Sequence, residues 1–194
     1  MSPLWRVKRL IDIVGAGAGL LMTAPVPAAC ALVVRMEGGP GVLFRQNRVG
    51  LDGRPFTVLK FRALRPAGDA ESATRWSIAY DDRLGPVGRF LRRTSLDELP
   101  QLWNILRGDM GLVGSRPERP HFVAEFTRTF PGYDSRHRVP VGLTGLAQVN
   151  GLRGDTSIEE RARFDNLYIE NWSLRQDVKI ILRTVLAPLR RTGG

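Results

Sequence analysis

The apolar and polar positions divide the chain at its first loop signal. From Leu10 to Val34 the only charged side chain is Asp12. As a helix, that length reaches the ~30 Å of a bilayer's hydrocarbon core. Arg6, Lys8 and Arg9 precede the run, Arg35 follows it, and Pro25 and Pro27 interrupt it. Pro25 lacks a backbone donor and clashes with the turn before it, so a bend is predicted there. Basic residues at both ends give no strong orientation bias. The favoured reading is a helix that enters a bilayer and returns to the same face. A simple span and a buried or amphipathic soluble helix are the competing readings.

Beyond Gly38-Gly39-Pro40-Gly41 the pattern shortens. Val42–Phe44 and Phe56–Phe61 read as strands about a turn at Asp52-Gly53, which predicts a hairpin. The polar stretch Pro66–Pro86 predicts a surface excursion carrying Trp76. The next helix begins in one of two ways. Either Ser95 and Glu98 form a capping box with Asp97 in the first turn, or Leu99 caps and Pro100 takes the first helical position. Trp103 and Leu106 are expected on its buried face, with Gly108 as its stop. Gly111–Pro117 reads as a turn bearing Arg116, and His121–Phe130 as a short helix with Phe122 and Phe126 on its apolar side. Pro140–Gly154 reads as extended and glycine-rich. Ser157 with Glu160, and Ser173 with Gln176, mark two further helix starts. The first of these helices contains Phe164, Leu167 and Tyr168. In the second, Leu174, Val178, Ile181, Leu182 and Val185 recur at helical spacing. That last helix either packs on the core or lies at a membrane surface. There Arg183, Arg190 and Arg191 would favour anionic lipid by about 1 kcal/mol per basic residue.

The chain's 194 residues, 43% of them hydrophobic, suffice for one domain with its own core. The net charge of +10 is carried mostly by arginine, which grips phosphate oxygens in a fork. Cys30 is alone, so an intrachain disulfide is excluded. His121 and His137 have no cysteine at ligand spacing, which argues against zinc. The charge permits nucleic-acid binding, but no recognition helix or RNA-binding motif is present, and no nucleic-acid partner is expected. A nonenzymatic membrane scaffold is the other non-catalytic reading.

The adjacent acids Asp97 and Glu98 have a purely structural explanation, because helix N-termini favour negative charge. Arg92, Arg93 and Arg116 around them argue for more. These cations can neutralise a diphosphate, while a carboxylate can bind Mg²⁺ or attack phosphorus to form an acyl phosphate. A divalent ion would keep both acids ionised, so neighbouring positions can divide the work.

Ordered blocks along almost the whole chain carry a resemblance. They are Lys8-Arg9-Leu10-Ile11-Asp12, Phe44-Arg45-Gln46-Asn47-Arg48-Val49-Gly50, Lys60-Phe61-Arg62 and Val87-Gly88-Arg89-Phe90-Leu91-Arg92. Ser95-Leu96-Asp97-Glu98-Leu99-Pro100-Gln101-Leu102, Asn104, Gly108-Asp109-Met110 and Arg116-Pro117 follow, then Gly142–Gly151 and Tyr168–Leu174. In these blocks the sequence resembles the bacterial sugar transferases, monotopic polyprenyl-phosphate phosphoglycosyl transferases. The resemblance implies that Asp97 attacks the sugar-linked phosphate of a UDP-sugar and that Glu98 is its partner and Mg²⁺ ligand. It implies phosphate contacts from Arg92, Arg116 and Arg153, and a membrane-helix kink at Pro25. The implied partners are a UDP-sugar, undecaprenyl phosphate and anionic membrane lipid, with a homo-oligomer compatible. The implied location is the bacterial cytoplasmic membrane, with the catalytic domain on its cytoplasmic face.

The expected fold class is α+β. A mainly helical catalytic domain with a small β-hairpin (37–188) would follow a proline-kinked re-entrant membrane helix (1–36) and precede a basic tail (189–194). Asn150–Thr156 is more similar to members using UDP-glucose or UDP-galactose than to those using N-acetylated donors. Three departures from the family pattern stand out: Ala63-Leu64 for Thr-Met, Gly85 for threonine, and Ser115 for proline. The last is expected to loosen the turn that carries Arg116.

Overall fold

The computed structural model describes residues 3–38, 41–64, 84–154 and 156–190. The stretch 65–83, which contains most of the expected surface excursion and Trp76, lies outside the described residues, as do 191–194. What is described is mixed helix and sheet, in keeping with α+β.

Helix α1 (Pro3–Met22) and helix α2 (Pro25–Gly38) meet at 64°. Thr23 terminates α1 by donating its hydroxyl to the Gly19 carbonyl at 2.7 Å. Pro25 then opens α2, where a missing N–H costs nothing. No single described helix is long and apolar enough to cross a membrane, whereas the bent pair together has the length and composition. Leu10, Val14, Leu21, Met22, Leu32 and Met36 all stand exposed on it.

The polar residues of α1 are contacts with the rest of the domain. Lys8 Nζ donates to Asp177 at 2.8 Å and to the Val113 carbonyl at 3.1 Å. Asp177 also accepts from the Tyr168 hydroxyl at 2.6 Å and from the Trp172 indole at 3.3 Å. Trp172 stacks on Trp5 with centroids 4.5 Å apart. Asp12 accepts from Leu112 N at 3.0 Å. Lys8→Met would leave Asp177 and Asp12 buried without their cation. Breaking a buried pair from one side costs about 3–5 kcal/mol, so a marked fall in denaturation midpoint in detergent is expected.

Strands β1 (Leu43–Val49) and β2 (Pro55–Phe61) form the antiparallel hairpin, with Leu43 opposite Phe61 and Val49 opposite Pro55. The polar run Arg45–Arg48 extends β1 beyond the expected Phe44. Helix α3 (Pro86–Thr94) packs on α2 and β2 through Leu91, Cys30, Val34 and Phe61. Gly85, the position where threonine was expected, lies against the Glu37 carboxylate, which accepts from Val87 N at 3.4 Å. A side chain there would displace only the flexible end of Glu37, and nothing in the structure explains the glycine.

Helix α4 (Gln101–Arg107) ends at Gly108 in the left-handed region, as expected. Arg9 caps it from α1, donating to the carbonyls of Ile105 at 2.6 Å and Leu106 at 2.9 Å. Its buried face differs from expectation at Trp103, while Leu106 packs against the core as expected. Trp103 is 53% exposed, and the face that packs is Gln101, Leu102, Asn104 and Ile105. Leu102 and Ile105 join Ala16 of α1 in the apolar core, while Asn104, with no exposed surface, binds β2. Its Oδ1 accepts from Leu59 N at 3.0 Å and its Nδ2 donates to Thr57 O at 2.8 Å.

Two three-residue strands, β3 (Gly111–Val113) and β4 (Gly142–Thr144), pair in parallel. Gly114 packs directly on the backbone of residues 140–142, leaving no room for a Cβ. Helix α5 (Pro120–Thr129) buries Phe122 and Phe126 as expected. A short helix α6 (Leu146–Val149) leads to α7 (Ile158–Glu170), where Ser157 accepts from Glu160 N, and then to α8 (Leu174–Arg190), where Ser173 accepts from Gln176 N. Helix α8 packs on the core through Asp177 and Ile180, while Val178, Leu182, Val185 and Leu186 form an exposed row. Arg183 turns toward the protein, donating to the Val149 carbonyl at 3.0 Å.

Candidate active site

The polypeptide reverses at Ser95. With φ of 59° it is, beside Asp52, one of two described non-glycine residues in the left-handed region, a conformation that costs about 1–3 kcal/mol. This corrects the capping-box expectation: the Ser95 side chain caps nothing, and the residue instead closes α3 through N–H bonds to Leu91 and Arg92. A 3-10 turn over Leu96–Glu98 follows, and the chain runs through helical Leu99 and Pro100 into α4. Pro100 therefore stands at the helix start, close to the alternative expectation.

Three elements converge on Glu98. Its Oε1 accepts from Lys60 Nζ of β2 and from Arg116 Nη2 after β3, both at 2.8 Å. Burial alone would raise the Glu98 pKa, but Arg116 and Lys60 outweigh it and hold the carboxyl well below its ordinary range. Glu98 in turn raises the Arg116 guanidinium. Burial lowers the Lys60 ammonium while Glu98 opposes that, and the 2.8 Å geometry is that of an ion pair.

Asp97 has the opposite character. It is 9% exposed, and its carboxylate accepts no hydrogen bond among the described residues. Burial pushes its pKa up to about 6. Lys60 works against the rise, Glu98 adds to it, and Arg116 and Arg92 oppose it. Adjacent acids are thus differentiated: Glu98 is locked as an anion among cations, and Asp97 is an unbonded carboxylate that ionises near neutrality.

The loop bearing Arg116 is braced from behind. Arg136 donates to the Arg116 carbonyl at 3.0 Å, to Asp165 at 2.6 Å and to Tyr133 at 2.7 Å. Ser115 donates to the Arg136 carbonyl at 3.1 Å, and its own carbonyl accepts from Gly142 N at 2.8 Å. The expected loosening at Ser115 is therefore not found, because its hydroxyl supplies a tie that proline cannot. Arg48, at the end of β1, donates to Pro117 O at 3.1 Å and Glu118 at 3.4 Å. Burial lowers its pKa to about 10.

Of the expected site residues, Asp97, Glu98 and Arg116 are brought together, and Arg92 reaches Asp97 electrostatically from the last turn of α3. Arg153 lies after α6, with its Nε on the Gln148 carbonyl at 3.1 Å, and is not part of the Lys60–Glu98–Arg116 cluster. Pro25 lies at the helix bend. Lys60 was passed over as a site residue. A lone lysine in an apolar strand, in a chain whose other cations are almost all arginine, was the signal available.

A carboxylate pair of this kind, ringed by cations on an α+β scaffold, suits phosphoryl-group chemistry. The chain belongs to the bacterial sugar transferase family, whose model matches residues 4–191, and it is a phosphoglycosyl transferase-type enzyme. Among its relatives is the UDP-glucose:undecaprenyl-phosphate glucose-1-phosphate transferase of Caulobacter vibrioides, 44% identical over 193 residues, 95% of this chain and 72% of that protein. The Escherichia coli protein of the same description is 43% identical over 192 residues, covering 95% of this chain and 41% of that one. The UDP-N-acetylgalactosamine-undecaprenyl-phosphate N-acetylgalactosaminephosphotransferase of Aeromonas hydrophila is 37% identical over 196 residues, 100% of this chain and 46% of that protein. The chain therefore spans less than half the length of the latter two.

Proposed function

We propose that this enzyme transfers a sugar-1-phosphate from a UDP-sugar to undecaprenyl phosphate, the initiating membrane step of exopolysaccharide or related glycan assembly. The observation that carries this reading is the buried, unbonded Asp97 carboxylate beside a Glu98 fixed by Lys60 and Arg116. In the first step an Asp97 oxygen attacks the phosphorus that bears the sugar. The bond from that phosphorus to the bridging oxygen breaks, and UMP departs with the electron pair. In the second step an oxygen of undecaprenyl phosphate attacks the same phosphorus and releases the Asp97 carboxylate. Arg116, paired with Glu98, and Arg92, which acts electrostatically on Asp97, would neutralise diphosphate charge, and Arg153 is a further candidate on the α6–α7 loop.

The donor set suits Mg²⁺, which binds one or two carboxylates and takes its remaining ligands from water and phosphates. Both protein contacts of Glu98 fall on Oε1, so its second oxygen has no protein donor among the described residues. Glu98 would hold the ion, which when bound supplies positive charge to the diphosphate. The 64° bend at Pro25 and the exposed apolar residues on both sides of it support a re-entrant membrane helix, and the reading is completed by a catalytic domain on the cytoplasmic face of the cytoplasmic membrane. The exposed row of α8, Val178, Leu182, Val185 and Leu186, would rest against the lipid.

The test is a donor panel. Purified protein with Mg²⁺ and undecaprenyl phosphate in detergent is offered UDP-glucose, UDP-galactose and UDP-N-acetylgalactosamine. UMP release and a lipid-linked diphosphosugar are expected, with faster turnover on the first two donors. Absence of UMP with every UDP-sugar would sink the reading.

A further inference from the structure

The helical path from Leu96 into α4 is closed by bonds spanning three residues, Leu99 N to Leu96 O, Leu102 N to Leu99 O and Trp103 N to Pro100 O. Residues three apart lie one above the other in the 3-10 turn and remain neighbours on one face in the α-helix that continues it, so Glu98, Gln101 and Asn104 follow one side of the path. Both ends of this stretch meet β2, Glu98 at Lys60 and Asn104 at Leu59 and Thr57. Gln101 lies between them and is 3% exposed, yet its Nε2 is buried with no hydrogen-bond partner among the described residues. Asp97 precedes it by four positions, one turn back on neighbouring surface.

A buried amide donor left unpaired costs stability, and an apolar side chain of equal length would avoid that cost. Here the orphan lies one turn on from an unbonded carboxylate and three residues on from Glu98, on one oxygen of which two cations converge. Resting on the reading of Asp97 as nucleophile, we propose that the Gln101 carboxamide donates to a non-bridging oxygen of the phosphoryl group as it passes from UMP to Asp97. The donor is neutral, so it does not compete with Lys60 and Arg116 for Glu98. It also carries no bond that must be broken before the phosphoryl group arrives, which is the condition for a preorganised donor to favour the transition state.

Gln101→Met keeps the side-chain length and removes both donor hydrogens. In single-turnover reactions with labelled UDP-sugar and no lipid acceptor, formation of the covalent phosphosugar adduct is expected to slow about 10²-fold. Half-saturation by the donor should stay within a few-fold, and the thermal midpoint should be equal or higher. A merely structural glutamine predicts the reverse, a lower midpoint with the adduct forming at the parent's rate per folded molecule. Gln101→Leu, read the same way, decides the matter if the methionine variant does not fold. An adduct rate within twofold of the parent in a folded variant overturns the role of Gln101 alone. A parent that forms no adduct overturns the nucleophile reading and this inference together.

Discussion

Asp97→Asn is expected to abolish the phosphosugar adduct and lower UMP release by at least about 10⁴-fold, while raising the thermal midpoint at pH 7.5. The two effects share a cause. Asparagine has nearly the shape of the aspartate but offers no anionic oxygen to phosphorus, so the first step has no nucleophile. The gain in stability comes from burial. An ordinary aspartate ionises at 3.8, whereas Asp97 does so at about 6, because burial outweighs the pull of Lys60, Arg116 and Arg92.

Between those two pH values the folded protein holds a proton that the unfolded chain has released. Stability of the parent therefore falls as pH rises through that window and levels off above it. The ionised carboxylate costs the folded state about 3 kcal/mol above pH 6, and the amide does not incur it. The difference in midpoint should be small near pH 4 and reach on the order of 5–10 °C above pH 6.5. Parent turnover should lose rate as pH falls through about 6, since only the carboxylate attacks. Scanning calorimetry of both proteins from pH 4 to 8, with adduct formation across the same range, checks both halves. A midpoint difference that does not change with pH would refute the burial argument, and retained adduct would refute the nucleophile.

The parts of the molecule legible in sequence are those governed by local rules. The bend at Pro25, the hairpin, the helix after Ser157 and the paired phenylalanines of α5 follow from propensity, capping and spacing within a few residues. What escaped depends on partners far along the chain. Lys8 and Arg9 read as basic flanks of an apolar run, yet their partners are Asp177 and the end of α4, some hundred residues or more away. Ser95 and Glu98 satisfy a capping pattern, but the backbone turns left-handed at Ser95 because the chain must redirect from α3 into α4. The parallel pair β3–β4 has three residues per strand, too few for any alternation to register. Trp103 was placed inside on hydrophobicity alone, while Asn104, polar and fully buried, does the packing. The nucleophilic role proposed for Asp97 comes from the resemblance. Its chemical differentiation from Glu98 rests on burial, which raises Asp97, and on Arg116 and Lys60, which hold Glu98 down, and no local pattern connects those cations to the pair.

That connection is open to a double-mutant cycle. Lys60→Met leaves Glu98 with Arg116 alone and should destabilise the fold by about 2 kcal/mol, below the usual cost for a broken buried pair because one cation remains. Glu98→Gln leaves both Lys60 and Arg116 without their anion and should cost a similar amount. Combining the two removes the pair as a unit, so the double variant should be more stable than the sum of the single losses predicts. Activity should not recover with it. Each single variant and the double are expected to form adduct about 10²–10³-fold more slowly, because the fixed geometry beside Asp97 is lost in all three. The pH profiles then separate the partners by sign. Lys60 is the largest influence lowering the Asp97 pKa and Glu98 one that raises it. Removing Lys60 should therefore move the acid limb of residual turnover above pH 6, and removing Glu98 should move it below. Shifts in the same direction would mean that the carboxylate pair does not interact as the 2.8 Å contacts of Glu98 with Lys60 and Arg116 require.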